Sequence, residues 1–271
     1  MCNVWFSYRD GDDVLKSVSI RVQQGEFLAL IGQNGSGKTT LAKHLLGLLH
    51  PREGKVLIRG EDIHGKPVGE IARRVGYVFQ NPDHQIFSAT TREEISYGPR
   101  NLQLGEAEIV RRTERAMERF DLKVHAEQQP ATLSFGTRRK VALASIYAMD
   151  PQIWILDEPT GGLDWRSEQA TMTLLHELNE AGKTIVLITH DMRIVAEHAK
   201  RCIVMSEGRV VAIDETRRIM EQAGVLEITP PQVWRLACAF DLQPLSLTAE
   251  EFCWEYGRRL ATESEISVSR S

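Results

Sequence analysis

The chain has 271 residues, a formal net charge of −4 at pH 7 and 42% hydrophobic residues. This length accommodates one large α/β domain with a small appendage, and the apolar content is sufficient to bury a core. The slight acidic excess gives no general attraction to the phosphates of nucleic acid, so we expect no nucleic-acid partner.

The cysteines and the hydropathy pattern exclude further classes. The four cysteines are far apart and form no CxxC pair, which argues against a zinc site or a disulfide framework. No stretch approaches the ~18 uninterrupted apolar residues that cross a bilayer, and the N-terminus lacks a secretion pattern. We therefore expect a soluble, cytoplasmic chain, so that any membrane channel it serves must be another polypeptide.

The first part of the chain is predicted to form strand, loop and helix. Residues 14–22 alternate in part and residues 26–31 are a short apolar run, so both are predicted strands. Residues 40–49 carry leucines at helical spacing, and proline and glycine end that helix. Further short strands are predicted at 55–58 and 75–79.

The middle of the chain is charged and helical, which predicts an inserted helical subdomain at about 80–149. Residues 90–93 fit a capping box. Apolar groups follow one helical face, and the favoured interpretation of that face is internal packing. These residues are Ile109, Thr113, Ala116, Met117 and Phe120.

The remaining pattern completes an α/β fold. Residues 153–156 and 184–189 are continuous apolar or β-branched runs, typical of parallel strands covered on both faces. Beyond about residue 214 the pattern is helical again, and residues 248–251 offer a second capping box. We predict a right-handed parallel-sheet core at 1–215 and a small C-terminal helical module at 216–271.

A glycine-rich loop lies between the second predicted strand and the first helix. Its sequence, Gly32-Gln33-Asn34-Gly35-Ser36-Gly37-Lys38-Thr39, matches the phosphate loop of P-loop nucleoside triphosphatases. Its backbone N–H groups and Lys38 suit phosphate, and the Thr39 hydroxyl suits magnesium. We therefore predict that ATP and Mg2+ bind here. The candidate nucleotide-binding residues are Gly32, Asn34, Gly35, Ser36, Gly37, Lys38, Thr39 and Thr40.

Two carboxylates follow the strand predicted at 153–156. Asp157 stands where a residue can hold magnesium, directly or through water. Glu158, one residue on, is placed to polarise a water for attack on the γ-phosphate. An acidic pair after a strand is weak evidence alone and becomes strong together with the phosphate loop.

The run Leu156-Asp157-Glu158-Pro159-Thr160, followed by Gly161-Gly162-Leu163-Asp164 and by His190 after a strand, resembles an ATP-binding-cassette ATPase. The resemblance covers essentially the whole chain. It implies that Gln80 senses magnesium and the lytic water, that Asp164 communicates across a dimer and that His190 contacts the γ-phosphate. It also implies that Tyr8 stacks on adenine. The alternative for His190 is a structural histidine at a strand end, and the alternative for Tyr8 is a core aromatic at strand spacing.

Residues 133–137, Leu-Ser-Phe-Gly-Thr, occupy the place of the family's signature, which usually reads Leu-Ser-Gly-Gly-Gln. The resemblance implies that Ser134 and Gly136 face the γ-phosphate held by the opposite subunit of a head-to-tail dimer. Phe135 and Thr137 depart from the pattern. The departure leaves two alternatives, a weakened contribution to the partner's site or two unequal sites.

Residues 80–87 and 98–102 are similar to the energy-coupling-factor branch, including its cobalt- and nickel-type ATPases, and residues 230–236 are similar to that branch's C-terminal extension, which strengthens the dimer. The implied function is to power import of a micronutrient, a vitamin or a transition-metal ion. Near the groove for coupling helices we expect Asp83, Gln85, Ile86 and Phe87. The adjacent apolar pair, Ile86 and Phe87, is costly to expose without a partner, and packing inside the helical subdomain is the alternative.

The implied partners are a transmembrane coupling protein, a membrane substrate-binding protein and a second ATPase subunit, identical or related. The implied location is the cytoplasmic face of the cell membrane. Two rival functions remain: the motor of another transporter branch, or a soluble cassette ATPase acting on ribosomes or DNA. Since Met1 falls only a few residues before Tyr8, a truncated start is a further expectation.

Overall fold

The computed structural model describes residues 1–9, 11–243 and 245–268, and for 261–268 only the helical backbone. The strands are β1 (Cys2–Phe6), β2 (Leu15–Val18), β3 (Phe27–Gly32), β4 (Glu53–Lys55), β5 (Leu57–Ile58), β6 (Glu61–Asp62), β7 (Val75–Val78), β8 (Ile153–Asp157), β9 (Thr184–Ile188), β10 (Arg201–Ser206) and β11 (Arg209–Glu215). The helices are α1 (Lys38–Leu45), α2 (Val68–Ala72), α3 (Thr91–Asn101), α4 (Glu106–Arg119), α5 (Phe135–Met149), α6 (Trp165–Glu180), α7 (Met192–His198), α8 (Thr216–Glu221), α9 (Gln232–Ala239) and α10 (Ala249–Val268).

A six-stranded sheet in the order β11-β10-β3-β9-β8-β7 forms the centre of the fold. All neighbouring pairs are parallel except β10 and β11. Alternate residues of β3 enter two different cores: Phe27, Ala29 and Ile31 pack with the helical layer, and Leu28 and Leu30 pack with the layer of β1, β2 and α1. The continuous apolar runs therefore fill both faces, and the predicted α/β fold is confirmed.

The carboxyl ends of four parallel strands meet at one edge of this sheet. Leu30 of β3 is in register with Ile188 of β9, which is in register with Asp157 of β8. Leu156 is in turn in register with Val78 of β7. Because the residues that follow these strands share that edge, the phosphate loop, Glu158, His190 and Gln80 are brought together although they lie far apart in sequence.

The segment between β7 and β8 forms a helical subdomain in which α3, α4 and α5 pack against one another. The predicted capping box is present: the Thr90 side chain accepts from the Glu93 N–H and the Glu93 carboxylate accepts from the Thr90 N–H. The predicted apolar face of α4 is buried, and Phe120 just beyond it is buried as well. The interpretation of that face as internal packing is therefore confirmed.

The helices α8, α9 and α10 follow the last strand. The second capping box is only half formed, which corrects the prediction. The Thr248 Oγ1 accepts from the Glu251 N–H at 3.2 Å, but the Glu251 carboxylate accepts from the Leu247 N–H at 2.8 Å and pairs with Arg217 at 3.0 Å. A carboxylate that can reach an arginine gains a charge-assisted bond there, so the cap is left with one of its two bonds.

The bounds of helix α1 differ from the prediction. Helix α1 begins at Lys38 and ends at Leu45, earlier than predicted at both ends, because the glycine-rich loop itself supplies the residue before the first turn.

Among the residues that the structure describes, no helix combines the length and apolar character that spanning a membrane requires.

Candidate functional site

The loop between β3 and α1 needs glycine at two positions. Gly37 has φ +102°, and it immediately precedes α1. At Gly32 an added Cβ would lie 2.1 Å from the Met205 carbonyl oxygen, so no larger residue fits without moving β10. Asn34 and Gly35 lie exposed at the tip of the loop, and Ser36 is buried. The backbone is thus held close against β10 and turned towards the N-terminus of α1.

Lys38 lies inside this loop rather than on the surface. Its Nζ donates to the carbonyl oxygens of Gly32 and Gln33, each at 2.8 Å, and to Ser36 Oγ at 3.3 Å. Burial lowers the pKa of the Lys38 amine, while the carboxylates of Glu158 and Asp157 act in the opposite direction. A buried ammonium beside the N-terminus of α1 makes an anion site to which phosphate oxygens are suited.

Asp157 forms a cluster of oxygen atoms with two hydroxyl groups. The Thr39 Oγ1 and the Tyr77 hydroxyl donate to the same carboxylate oxygen, Oδ2, at 3.0 and 2.9 Å. Burial and the neighbouring Asp157 raise the pKa of Tyr77, so the phenol stays protonated and remains a donor. Carboxylate and hydroxyl oxygens are ligands that Mg2+ prefers, so Thr39 and Asp157 fit a magnesium ion.

The Glu158 carboxylate is held by three donors from the end of β9. Oε1 accepts from the His190 N–H at 3.1 Å and lies 2.6 Å from His190 Nδ1, and Oε2 accepts from Thr189 Oγ1 at 3.2 Å. Glu158 is 9% exposed, whereas the His190 side chain is 72% exposed. A fixed, nearly buried carboxylate beside the phosphate loop can accept a proton from a water molecule.

Gln80 follows β7 and is exposed beside this group. Its carbonyl oxygen accepts from Arg139 Nη2 at 2.8 Å, and the same guanidinium also donates to Glu158 O and Gly161 O, each at 3.1 Å. Arg139, Tyr77 and Thr189 contact this group and were missed by the sequence reasoning. Their partners come from other elements, so no local pattern marked them; Arg139 is one of three successive basic residues at the start of α5, and the sequence does not distinguish it from Arg138 or Lys140.

Tyr8 lies beside the first turn of α1. It is 55% exposed, so the alternative of a core aromatic is wrong. Its hydroxyl and Thr40 Oγ1 are 3.2 Å apart, and its ring meets Phe6 edge-on at 4.9 Å. One face of a flat ring is thus available near the first turn of α1, where a purine base can stack.

The signature residues surround the N-terminus of α5. Ser134 caps this helix by accepting from the Thr137 N–H at 3.2 Å, and its hydroxyl is 2.8 Å from that of Thr137. An added Cβ at Gly136 would meet nothing within 4 Å, so its backbone is accessible. The Phe135 ring lies against Gly162, with Cε1 3.2 Å from the position of a Cβ there. Phe135 therefore packs back on its own chain.

Asp164 is the N-cap residue of α6. Its two carboxylate oxygens accept from the N–H and the hydroxyl of Ser167 at 2.9 and 3.1 Å. These two bonds lower the pKa of Asp164. Among the described residues, no hydrogen bond joins Ser134, Gly136 or Asp164 to residues 32–39. The structure therefore brings Lys38, Asp157 and Glu158 together at the phosphate loop without hydrogen bonds to these three residues.

The four residues expected to contact a membrane partner differ in their exposure. Asp83 is exposed and pairs with Arg138 of α5 at 2.8 Å, and Phe87 is 65% exposed. The Gln85 amide instead donates to Ala142 O at 2.8 Å and Ser145 Oγ at 3.0 Å, and Ile86 packs against the core. Gln85 and Ile86 are partly buried because α5 offers acceptors to the one and apolar surface to the other, and their contact with a membrane partner stays a prediction.

Comparison with known families and proteins gives a consistent result. The family model described as ABC transporter matches residues 15–161. The energy-coupling factor transporter ATP-binding protein EcfA of Methanocaldococcus jannaschii is 41% identical over 211 residues, which cover 77% of this chain and 76% of EcfA. The chain covers only 39–42% of the length of the first three curated relatives, which are described as ABC transporter ATP-binding proteins.

Two solved structures share the fold. CbiO1 of Clostridium perfringens, part of the ABC transporter complex CbiONQ, superposes with a TM-score of 0.73 at 32% identity, over 89% of this chain and 97% of CbiO1. A dimeric ATP-binding cassette in a post-hydrolysis state, bound to ADP and Pi, superposes with a TM-score of 0.71 at 29% identity, over 79% of this chain and 97% of that one.

Proposed function

The chain belongs to the ABC transporter family, and from this premise we propose that it binds and hydrolyses ATP as the motor subunit of a membrane transporter. One observation carries the proposal. A buried lysine inside a glycine-rich loop, the Thr39–Asp157 oxygen pair and the fixed Glu158 carboxylate meet at one edge of the sheet. Phosphate binding, metal binding and proton abstraction are thus supplied within one half-site.

In this proposal separate residues bind the phosphates, the adenine, the metal ion and the attacking water. The loop N–H groups and Lys38 hold the β- and γ-phosphates, and Tyr8 stacks on the adenine. Thr39 and Asp157, with Gln80 nearby, hold Mg2+, which when bound polarises phosphate oxygens. Glu158 accepts a proton from the attacking water, and the exposed His190 ring contacts the γ-phosphate while its Nδ1 orients Glu158.

We further propose that two ATPase subunits assemble head to tail, so that Ser134 and Gly136 of one subunit close the nucleotide site of the other, with Asp164 at the contact between them. Ser134, Gly136 and Asp164 lack hydrogen bonds to the phosphate loop of their own chain among the described residues, and one structural neighbour was solved as a dimer with ADP and Pi. The signature half of the site must then come from a partner. The packing of Phe135 against Gly162 leaves the Gly136 backbone accessible in spite of the departure from the family pattern.

The transporter branch that we propose is the energy-coupling-factor type, importing a vitamin or a transition-metal ion. Support comes from the relative named EcfA and the structural neighbour CbiO1. The exposed Phe87 and Tyr97 rings, 4.7 Å apart and edge to face, form the apolar part of the surface proposed for the transmembrane coupling protein. In the same proposal residues 216–271 strengthen the ATPase dimer, and the complex includes a small membrane substrate-binding protein.

The test of ATP use compares Lys38→Ala with Lys43→Ala, a lysine in the last turn of the same helix. We expect Lys38→Ala to weaken ATP affinity by about 10–100-fold, the loss of charge-assisted phosphate bonds, and Lys43→Ala to change it little. Affinity is measured by equilibrium binding of a fluorescent ATP analogue. Equal affinity for wild type and Lys38→Ala would contradict the phosphate-loop assignment.

The test of the branch is purification of the tagged chain from membranes, with identification of its partners by mass spectrometry. A small integral-membrane substrate binder and a transmembrane coupling protein are expected. A soluble substrate-binding protein would instead indicate an ordinary importer motor. Recovery with ribosomes or DNA and no membrane protein would indicate the soluble cassette class.

A further inference from the structure

Arg139 is a buried arginine that links three separate segments of the site. It lies in the second turn of α5, five residues after Ser134, and is 2% exposed. Its guanidinium donates to three backbone carbonyl oxygens: Gln80 after β7 at 2.8 Å, Glu158 after β8 at 3.1 Å, and Gly161 in the loop that leads to Asp164 at 3.1 Å. One side chain of the helical subdomain thus bonds the backbone of three candidate motifs.

The Glu158 backbone needs such support because its conformation is strained. Glu158 has φ +48°, in the left-handed region that non-glycine residues adopt at an energetic cost. Its carbonyl oxygen accepts from Arg139 Nη1 and from the Gly161 N–H, at 3.1 and 3.2 Å. The direction of the Glu158 carboxylate depends on this backbone conformation, so Arg139 acts on the carboxylate through the peptide behind it.

Arginine is the side chain that can make these three bonds together. Its planar guanidinium presents five donors in a fixed fork, whereas a lysine presents a single point charge. Burial lowers the pKa of Arg139, and the Glu158 carboxylate opposes that change. The Glu158 carboxylate therefore favours the charged form of the buried guanidinium. A purely packing role would be filled at lower cost by an apolar residue.

Arg139 also connects the site to the signature. Its guanidinium carbon lies 5.3 Å from the centre of the Phe135 ring, which itself packs on Gly162. Because Arg139 and Ser134 belong to one rigid helical segment, a shift of α5 displaces both. Any such shift therefore changes the bonds to Gln80 and Glu158.

We propose that Arg139 is a positioning residue that transmits the position of α5 to the Glu158 carboxylate and the Gln80 loop. It touches neither nucleotide nor the attacking water and acts only through those two residues. The kinetic consequence rests on the proposed ATPase function, but the mechanical link does not.

The kinetic test compares Arg139→Met and Arg139→Lys with Arg112→Met in the full chain. Arg112 is a matched control because it also donates to a backbone carbonyl in the helical subdomain, Met149 O at 3.1 Å, away from the site. We expect Arg139→Met to lower kcat about 100-fold and Arg139→Lys about tenfold, with KM and ATP affinity within about threefold of wild type. Arg112→Met should keep kcat. A folded Arg139 variant with wild-type kcat would overturn the proposal, as would equal losses in kcat and ATP affinity.

The mechanical test is hydrogen exchange without nucleotide, which does not require activity. In Arg139→Lys, which retains the charge and is the variant more certain to fold, amides of 79–84 and 158–162 should exchange at least about threefold faster, while those of Arg201–Ser206 stay unchanged. Unchanged exchange in both segments would overturn the link. If the wild-type chain hydrolyses no ATP, the proposed function fails while this measurement still decides the role of Arg139.

Discussion

His190 Nδ1 lies 2.6 Å from Glu158 Oε1, so the two side chains that sequence reasoning placed separately at the γ-phosphate contact each other directly. The His190 N–H and the Thr189 hydroxyl complete the set of donors around the same carboxylate. The residues that follow β9 therefore orient the Glu158 carboxylate, which follows β8. Only one atom of the exposed imidazole is used in this contact, and the rest of the ring remains available to a ligand.

Replacing Glu158 by Gln should leave ATP binding intact and slow hydrolysis by roughly 10²–10⁴-fold, because an amide does not accept the proton of the attacking water. Single-turnover hydrolysis together with equilibrium ATP binding measures both quantities. Glu180→Gln, at an exposed carboxylate near the end of α6, serves as the control. Turnover in Glu158→Gln close to that of the control would remove Glu158 from the role of base.

Tyr8 should contribute through its ring more than through its hydroxyl. We expect Tyr8→Ala to weaken ATP affinity about tenfold, the loss of one stacked aromatic, and Tyr8→Phe to change it by less than about threefold. Competition by inorganic triphosphate against the fluorescent analogue separates base from phosphate contacts. Triphosphate affinity should be the same in all three proteins, and a parallel loss of triphosphate affinity in Tyr8→Ala would contradict base stacking.

Tyr77 should influence the magnesium requirement. Tyr77→Phe removes the donor to Asp157 Oδ2 and leaves that carboxylate less well oriented, so the Mg2+ concentration for half-maximal nucleotide binding should rise about tenfold. The measurement is a Mg2+ titration of nucleotide binding. Tyr147→Phe, whose ring packs edge-on against Phe120, is the control. An unchanged Mg2+ midpoint in Tyr77→Phe would show that the hydroxyl has no part in metal binding.

A histidine pair between α6 and α7 should make stability depend on pH. His176 Nε2 lies 2.8 Å from His198 Nδ1, and burial, followed by the charge of His176, lowers the pKa of His198 from 6.5 to about 4. The unfolded state therefore binds more protons between about pH 6.5 and 4, so this contribution to stability is present above pH 6.5 and lost as the pH falls towards 4. Between pH 7.5 and 5 the loss should be about 2 kcal/mol.

Urea unfolding of wild type and His198→Gln at these two pH values measures this loss. The variant should lose about 2 kcal/mol less than wild type on acidification, since glutamine does not titrate. His125→Gln, at a partly exposed histidine outside this pair, should behave as wild type. An equal pH dependence in wild type and His198→Gln would assign the acid sensitivity to other groups.

The sequence was sufficient for the parts of the site that are local in the chain. The phosphate loop, the Asp157–Glu158 pair and the capping box of α3 each depend on residues within a few positions of one another, and the buried strands follow from continuous apolar runs. Exposure of Tyr8 was left undecided, because strand spacing is the same for a core aromatic and for one beside a ligand.

The remaining parts depend on register and on contacts between elements. The bond from Tyr77 to Asp157 requires that β7 and β8 be neighbours in register, and the three bonds of Arg139 require the packing of α5. Gln85 lies inward because α5 supplies acceptors beside it, and Glu251 forms half a capping box because Arg217 competes for its carboxylate. Pairwise contacts of this kind have no signature in a single sequence.

We propose that the loop of residues 32–39 holds a nucleoside triphosphate with Glu158 beside its terminal phosphorus. The most direct measurement is a crystal structure of Glu158→Gln grown with ATP and Mg2+. We predict the triphosphate inside the loop, with Lys38 Nζ on a phosphate oxygen, the metal beside Thr39 and Asp157, and residue 158 within reach of the attacking water. A structure at saturating ATP with the nucleotide bound elsewhere, or none bound, would contradict the account.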